Sequence, residues 1–305
     1  MRSFDPASPQ RSKGQVMKVT RRRFLTITAA ATLLSGVRYD EHRWAGHALG
    51  AETSLVFRAP KDVAEGTISS VLGLVERFEN TFSIYRNASE ISTLNQAAYI
   101  KPSKLFFELA GYVDDIYRNS NGYFDPTIQS VWGKTLDLTN DQRWQNMTLT
   151  RDRIALPENT QISFNGIAQG FLTDLVAAHI RTHGFTDVLV NFGEFKGIGG
   201  PWNVGLQHPN GLKSIKLDNT AIATSSPDAM RQSNGNSHMI NPFGNERIEY
   251  ESVSVEHQSA MIADALSTAF AFMSPDKIQN VISKSYPNSR VHLITKDEQM
   301  ISLNA

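Results

Sequence analysis

The chain has 305 residues, 40% hydrophobic and 20% charged, which suits one large globular domain or two small ones. Its 30 basic and 30 acidic side chains cancel, so there is no electrostatic case for nucleic acid as the main partner. Cysteine is absent, which excludes disulfides, thiolate catalysis, cysteine-based zinc or iron–sulfur sites and a lipobox anchor.

In chain order, Thr20-Arg-Arg-Arg-Phe-Leu-Thr26 precedes the apolar run Ile27-Thr-Ala-Ala-Ala-Thr-Leu-Leu34. A basic cluster before a short apolar stretch reads as a secretory signal, and the paired arginines with Phe24-Leu25 fit the twin-arginine type. The run falls short of the ~20 residues that a spanning helix needs, so no anchor is expected in the mature chain. Met17-Lys18 stands where such a signal would start. Ala48-Leu-Gly50 fits a small-x-small cleavage site. Residues 1–50 are therefore expected to be a leader and 51–305 the working domain, exported to the periplasm.

Ser54 to Ala59 reads as a first strand. Val63 to Phe78 has apolar residues at helical spacing, followed by an extended segment from Thr81 to Arg86. Ser103 to Ser120 reads as a second amphipathic helix, ended by a left-handed cap at Asn121-Gly122. Short strands are expected at Met147–Thr150, Arg153–Leu156 and Gln161–Phe164. Ile167 to Thr182 should be a helix closed by Gly184, and Asp187 to Asn191 a buried strand. Strands dominate from Trp202 to Val255. A helix from Ser259 to Met273, another near Asp276 to Ser283, and a strand at Arg290 to Thr295 complete the chain. Without regular βαβ alternation this pattern predicts an α+β fold of mixed or antiparallel sheets with packed helices.

Several segments could carry chemistry. Asp264 and Thr268 are four residues apart on one helix face, among Ala263, Ala265 and Ala269. Two hard oxygens side by side make half a site for Mg²⁺, which takes oxygen ligands and keeps water or phosphate in its other positions. Such a pair also occurs on ordinary surfaces. Asn165-Gly-Ile-Ala-Gln-Gly170 joins a strand to a helix and could cradle an anion or be a tight packing turn. Asn191-Phe-Gly-Glu-Phe-Lys-Gly-Ile-Gly-Gly200 is a second glycine-rich turn. Asp125 is held extended by Pro126. His238 lies among hydroxyls, able to orient a phosphate or move a proton, or simply half-buried on a strand. His179 and His183 cap a helix end and are not read as a zinc pair, since the HExxH glutamate is missing.

Taken in order, these segments resemble the ApbE family of FAD:protein FMN transferases. Thr81-Phe-Ser-Ile-Tyr-Arg86 with Glu90-Ile-Ser-Thr-Leu-Asn95 is similar to its first signature, and Gly122-Tyr-Phe-Asp-Pro-Thr127 to its second. Asn165–Gly170 with Leu189-Val-Asn-Phe-Gly193 is similar to the third. Ala223-Thr-Ser225 with His238-Met-Ile-Asn-Pro242 is similar to the fourth, and Ser259–Ala269 to the fifth. The resemblance spans roughly Ser54 to the C-terminus. The twin-arginine signal and the Gly-Glu-Phe-Lys-Gly-Ile-Gly-Gly run look most like the NosX branch, linked to nitrous-oxide respiration.

The resemblance implies a T-fold-like architecture and Mg²⁺-assisted transfer of FMN from FAD to a Thr or Ser hydroxyl of a target flavoprotein, with release of AMP. It implies metal ligation by Asp264, Thr268 and the Ala168 carbonyl. It implies FAD contacts from Tyr85, Asn165, Gly166, Gln169, Asn191, Gly193, Glu194, Thr224, Ser225 and Ser259. His238, Asp125 and Asn241 would stand at the reacting phosphates. The chain departs from the family pattern where Asn165 and Gln169 replace a Gly and a Lys, and where Asn241 and Phe243 replace an Asp and an Arg. Asn241 and Gln169 motivate one alternative, a non-catalytic FAD carrier or assembly factor; a second is a metal-dependent FAD pyrophosphatase, in which water replaces the hydroxyl acceptor. The export signal motivates a third, an exported redox enzyme.

Overall fold

The computed structural model describes residues 25–27, 41–131, 143–208, 211–227, 237–244 and 250–305. The arginines of the export signal and most of its apolar run lie outside the described residues. The strands are β1 (Leu25–Ile27), β2 (Glu41–Ala48), β3 (Ala51–Arg58), β4 (Tyr99–Ile100), β5 (Thr148–Leu149), β6 (Ile154–Ala155) and β7 (Val188–Asn191). They continue with β8 (Phe195–Ile198), β9 (Trp202–His208), β10 (Gly211–Leu217), β11 (Ala221–Ser225), β12 (Tyr250–His257), β13 (Arg290–Thr295) and β14 (Met300–Asn304). The helices are α1 (Lys61–Phe82), α2 (Glu90–Ala97), α3 (Lys104–Asn119), α4 (Ala168–Thr182), α5 (Ala260–Phe270) and α6 (Pro275–Ser285).

The strands β14-β13-β12-β11-β8-β7-β3-β2 form one sheet in which every neighbouring pair is antiparallel. Period-two alternation sends its side chains into two cores. Leu55 and Phe57 of β3, with Val188 and Val190 of β7, join the core shared with the helices. Val56 and Leu189 point the other way, against Val204, Leu206, Ile215 and Leu217 of the three-stranded sheet β1-β9-β10. A helical layer, a central sheet and a small second sheet therefore stack in sequence. Both faces of the central strands are covered, which is why β7 reads as an unbroken apolar run. The architecture is α+β, as the sequence predicts.

Local signals explain most of the elements. Ser89, Ser103 and Ser259 cap α2, α3 and α5, each accepting a first-turn N–H. Asn121 and Gly122 take positive φ (52° and 82°) after α3, as their sequence predicts. Three expectations change, and a segment without an assigned element proves helical. The sheet includes β2, so the boundary drawn at residue 50 runs through a hairpin. There Leu49 and Gly50 (φ 49° and 73°) make a two-residue turn whose twist matches the flanking strands. Thr81 and Phe82 are the end of α1, not an extended segment. Glu90–Asn95 is helical, in α2. Gln161–Phe164 forms no strand; the side-chain amide of Asn95 substitutes for one, accepting from Ile162 N–H and donating to its carbonyl, both at 2.8 Å.

The helical core positions the loop before α4. Phe78, Phe82, Phe106, Phe164 and Phe171 form one aromatic cluster, with neighbouring ring centroids 4.7 to 6.3 Å apart. Truncating one such buried ring costs about 3–5 kcal/mol. Phe164 is thus a firm anchor directly beneath Asn165-Gly166.

Candidate active site

β12 runs into α5, and α5 is buried along nearly its whole length. Asp264, only 5% exposed, reaches across to α4, where its Oδ2 accepts the Gly170 N–H at 2.9 Å. One turn further on, the Thr268 hydroxyl faces the Gly166 carbonyl at 3.5 Å and the Ser225 hydroxyl at 3.3 Å. Both glycines are required by this approach. A Cβ on Gly170 would stand 2.2 Å from the Ala260 carbonyl oxygen, and one on Gly166 would stand 3.0 Å from Thr268 Oγ1. The third and fifth motifs therefore meet through backbone, and the glycines of Asn165–Gly170 serve a tight packing turn against α5.

The other segments gather around this contact. A Cβ on Gly166 would also lie 3.3 Å from the Phe124 ring, which brings the Asp125 segment alongside. Tyr123 packs against Phe243, with centroids 4.7 Å apart, so the Asn241 segment closes on the same side. Ser225 Oγ bonds Ser267 Oγ at 2.8 Å as well as meeting Thr268. Gln169 packs over the turn at Gly193, where φ is 109° and a Cβ would meet its side chain at 2.6 Å.

Asp125 Oδ1 accepts both the hydroxyl and the N–H of Thr127, at 2.7 and 2.8 Å. Burial nevertheless pushes its carboxyl above the usual range, against the pull of those bonds and of Arg143. Asn241 is 5% exposed; its Oδ1 accepts the Phe243 N–H at 3.0 Å, while its Nδ2 is enclosed without a partner among the described residues. His238 is half-buried next to Ser237, whose hydroxyl donates to the Pro227 carbonyl at 2.6 Å. Asn191 is buried and spans the head of the sheet, donating to Ser54 Oγ at 3.3 Å and accepting the Gly193 N–H at 3.2 Å. Asn165 is exposed at the mouth of the loop. Tyr85 stands 72% exposed beside Arg86, which is held by Glu76, Glu79 and Asn80.

Some expected site residues are engaged elsewhere. Ser259 caps α5 and donates to Asp174 Oδ2 at 2.6 Å. Glu194 Oε2 accepts the Thr224 N–H at 3.2 Å, and the Thr224 hydroxyl pairs with Ser254, so these residues knit β8, β11 and β12 together. Ala168 is the first residue of α4, and the carbonyl that faces Thr268 is that of Gly166. Sequence reasoning missed Asp174 and Lys196, a buried ion pair under the start of α5 (Nζ to Oδ1, 2.5 Å). The available signal was Lys196 itself, a charge in a strand that is otherwise apolar or glycine and therefore in need of a partner.

Among the described residues no three His, Asp or Glu side chains cluster as a metal cage. One carboxylate, one hydroxyl and one carbonyl are instead a hard-oxygen donor set. It fits Mg²⁺, which relies on few protein ligands and completes its shell with water and substrate phosphate. Among the described residues no helix is long and apolar enough to cross a membrane.

Known proteins share this fold. Among solved structures, the apo flavinyl transferase ApbE of Pseudomonas stutzeri superposes with a TM-score of 0.76 at 21% identity, covering 88% of this chain and 96% of that one. The apbe protein of Thermotoga maritima gives 0.75 at 20% identity, covering 87% and 97%. Among curated proteins, the FAD:protein FMN transferase of Chlamydia pneumoniae is 27% identical over 63% of this chain and 72% of its own length. That of Vibrio cholerae is 24% identical over 84% of this chain and 89% of its own. The family model of the ApbE family matches residues 49–293, and the chain belongs to that family.

Proposed function

We propose that this protein is an FAD:protein FMN transferase that uses Mg²⁺ to move FMN from FAD onto a Thr or Ser hydroxyl of a target flavoprotein. The observation that carries the reading is the convergence of Asp264, Thr268 and the Gly166 carbonyl beside the loop of the third motif. The names of its curated relatives support it.

In this reaction the acceptor oxygen bonds to the FMN phosphorus, the pyrophosphate P–O bond breaks, AMP leaves, and the hydroxyl proton must be removed. When bound, Mg²⁺ neutralises the phosphoryl oxygens and helps to orient them. Asp264, Thr268 and Gly166 would hold it. First-turn N–H groups of α4 favour an anion at the helix start. Asp125 supplies a carboxylate close to that start, and His238 either takes the acceptor proton or stabilises the departing AMP. Asn191, Gly193 and Gln169 shape the turn against which the dinucleotide lies, with Tyr85 exposed beside the first motif.

The finer parts of the proposal rest on sequence. The export signal supports a periplasmic location, and the resemblance to the NosX branch supports a NosR-like membrane flavoprotein as acceptor. A second reading, an FAD carrier or assembly factor on the same fold, is favoured by Asn241, whose Nδ2 has no partner among the described residues, and by Gln169, which stands where the family pattern has a lysine.

The test combines the chain with FAD, Mg²⁺ and a NosR-like acceptor domain and reads the acceptor's intact mass. A gain of one FMN phosphoester, abolished by EDTA, is the expected result. Intact bound FAD with no gain would instead support the carrier, and free FMN and AMP without labelling would support a pyrophosphatase.

A further inference from the structure

Asp174 is not among the proposed metal ligands, yet its carboxylate beside them accepts four hydrogen bonds. Its Oδ1 accepts Lys196 Nζ at 2.5 Å and the Ala260 N–H at 3.0 Å; its Oδ2 accepts the Ser259 hydroxyl at 2.6 Å and the Met261 N–H at 3.1 Å. Lys196 Nζ also donates to the Gln258 carbonyl at 3.0 Å. The pair is well buried, with Lys196 10% and Asp174 20% exposed in their side chains. Three of the four donors come from the first residues of α5 and its cap, where unpaired N–H groups and the positive end of the helix dipole favour an anion. A carboxylate from a different helix therefore adds a second cap to that of Ser259.

The spacing gives this cap a further effect. Gly170 and Asp174 are four residues apart on α4, so they share one face. On α5 the groups that meet them are Asp264 and the 259–261 turn, also one turn apart. The two helices are thus fastened at two points: Asp264 to the Gly170 N–H, and the α5 start to Asp174. With no Cβ on Gly170, the second fastening sets how closely α5 lies on α4. Lys196, on β8, fixes both to the sheet. The placement of Asp264 at the Gly170 N–H and of Thr268 at the Gly166 carbonyl follows from it.

We propose that Asp174, supported by Lys196, is a positioning residue that holds α5 at the separation where the oxygens of Asp264, Thr268 and Gly166 close around a divalent cation. The proposal deepens the function given above and rests on its metal site.

The test measures Mn²⁺ binding to the full chain in the presence of FAD, by the electron paramagnetic resonance signal of free Mn²⁺, alongside the thermal unfolding midpoint. D174N keeps the size but puts an amide NH₂ among the donors. It is expected to raise the Mn²⁺ dissociation constant about tenfold or more, the range found when partners of metal ligands are removed. K196M leaves the three α5 donors capped and is expected to weaken binding about threefold. It therefore tests the proposal even where D174N does not fold. A lowered midpoint with an unchanged Mn²⁺ constant in the folded variants would reduce the pair to a stabilising role and overturn the proposal. No Mn²⁺ uptake by the parent chain would overturn the metal assignment and this proposal together, whereas uptake by the parent that the variants match overturns the positioning role alone.

Discussion

Replacing Gly170 with alanine tests the central contact directly. In an isolated helix this change stabilises by about 1 kcal/mol, because glycine is the more flexible residue. Here the new methyl would stand 2.2 Å from the Ala260 carbonyl oxygen, 2.6 Å from its carbon and 2.7 Å from Asp264 Cβ. Two of those atoms are backbone and cannot rotate away, so α5 must recede by roughly 1 Å in an interior packed to crystal-like density. Overpacking of this kind costs about 1–3 kcal/mol, occasionally more. Set against the propensity gain, the net loss is about 0–2 kcal/mol, a fall of up to about 8 °C in the unfolding midpoint for a domain of this size. The effect on transfer should be larger than the effect on stability. Separating α4 from α5 moves Asp264 and Thr268 away from the Gly166 carbonyl, and a misplacement of about 1 Å at a reacting centre costs on the order of a hundredfold. Differential scanning calorimetry and the acceptor mass assay at fixed Mg²⁺ read the two quantities. A G170A protein with a raised midpoint and unchanged transfer would refute the claim that the two helices need this close approach.

Three further outcomes are expected. Asp264→Ala removes the lone carboxylate of the donor set, so transfer should fall at least about a hundredfold and lose its Mg²⁺ dependence. The Gly170 N–H is also left without its acceptor, at a cost of about 1–3 kcal/mol in denaturant unfolding; full activity would mean that the metal lies elsewhere. Asn241→Asp keeps the bond from the Phe243 N–H and restores the carboxylate of the family pattern, so transfer should rise about tenfold. An unchanged rate would remove residue 241 from the chemistry. His257, whose Nδ1 accepts the Ser259 N–H at 2.9 Å, has its pKa pushed below the ordinary 6.5, chiefly by burial. A folded state that resists protonation binds fewer protons than the unfolded chain, so stability is complete above 6.5 and falls as the pH drops below it toward the lowered value. His257→Gln should flatten that slope between pH 7 and 5, as followed by thermal unfolding; an unaltered slope would assign it to other groups.

What the sequence made legible follows from range. Helices α1 and α3, the Asn121-Gly122 cap and the Asp264/Thr268 pair all arise from spacings of a few residues, which patterning reads well. The eight-residue α2 escaped because its signal is a single capping serine, Ser89, beside a short polar stretch. β2 was taken for leader because its alternation of buried and exposed residues mixes histidine, arginine and glutamate with one tryptophan, the pattern of an edge strand with one wet face. Ser259 lies inside a recognisable motif, yet its hydroxyl is spent on a helix cap, a use that its type predicts as readily as ligand binding. Lys196 signalled the need for a partner, but the identity of Asp174 was illegible because the pair's partners lie 22 to 87 residues away, and no local spacing encodes such pairs.

The Thr268 hydroxyl meets the Gly166 carbonyl across 102 residues of chain, and Asp264 meets the Gly170 N–H across 94. Contacts of that separation pay their loop-closure entropy before they return any stabilisation, so they form late in folding. During synthesis, α4 is complete long before α5 has been made, and until then it presents one carbonyl and a glycine-rich loop with no carboxylate opposite. A nascent or truncated chain ending before Asp264 thus lacks the carboxylate of the proposed metal site, which would confine loading with cation and dinucleotide to finished molecules.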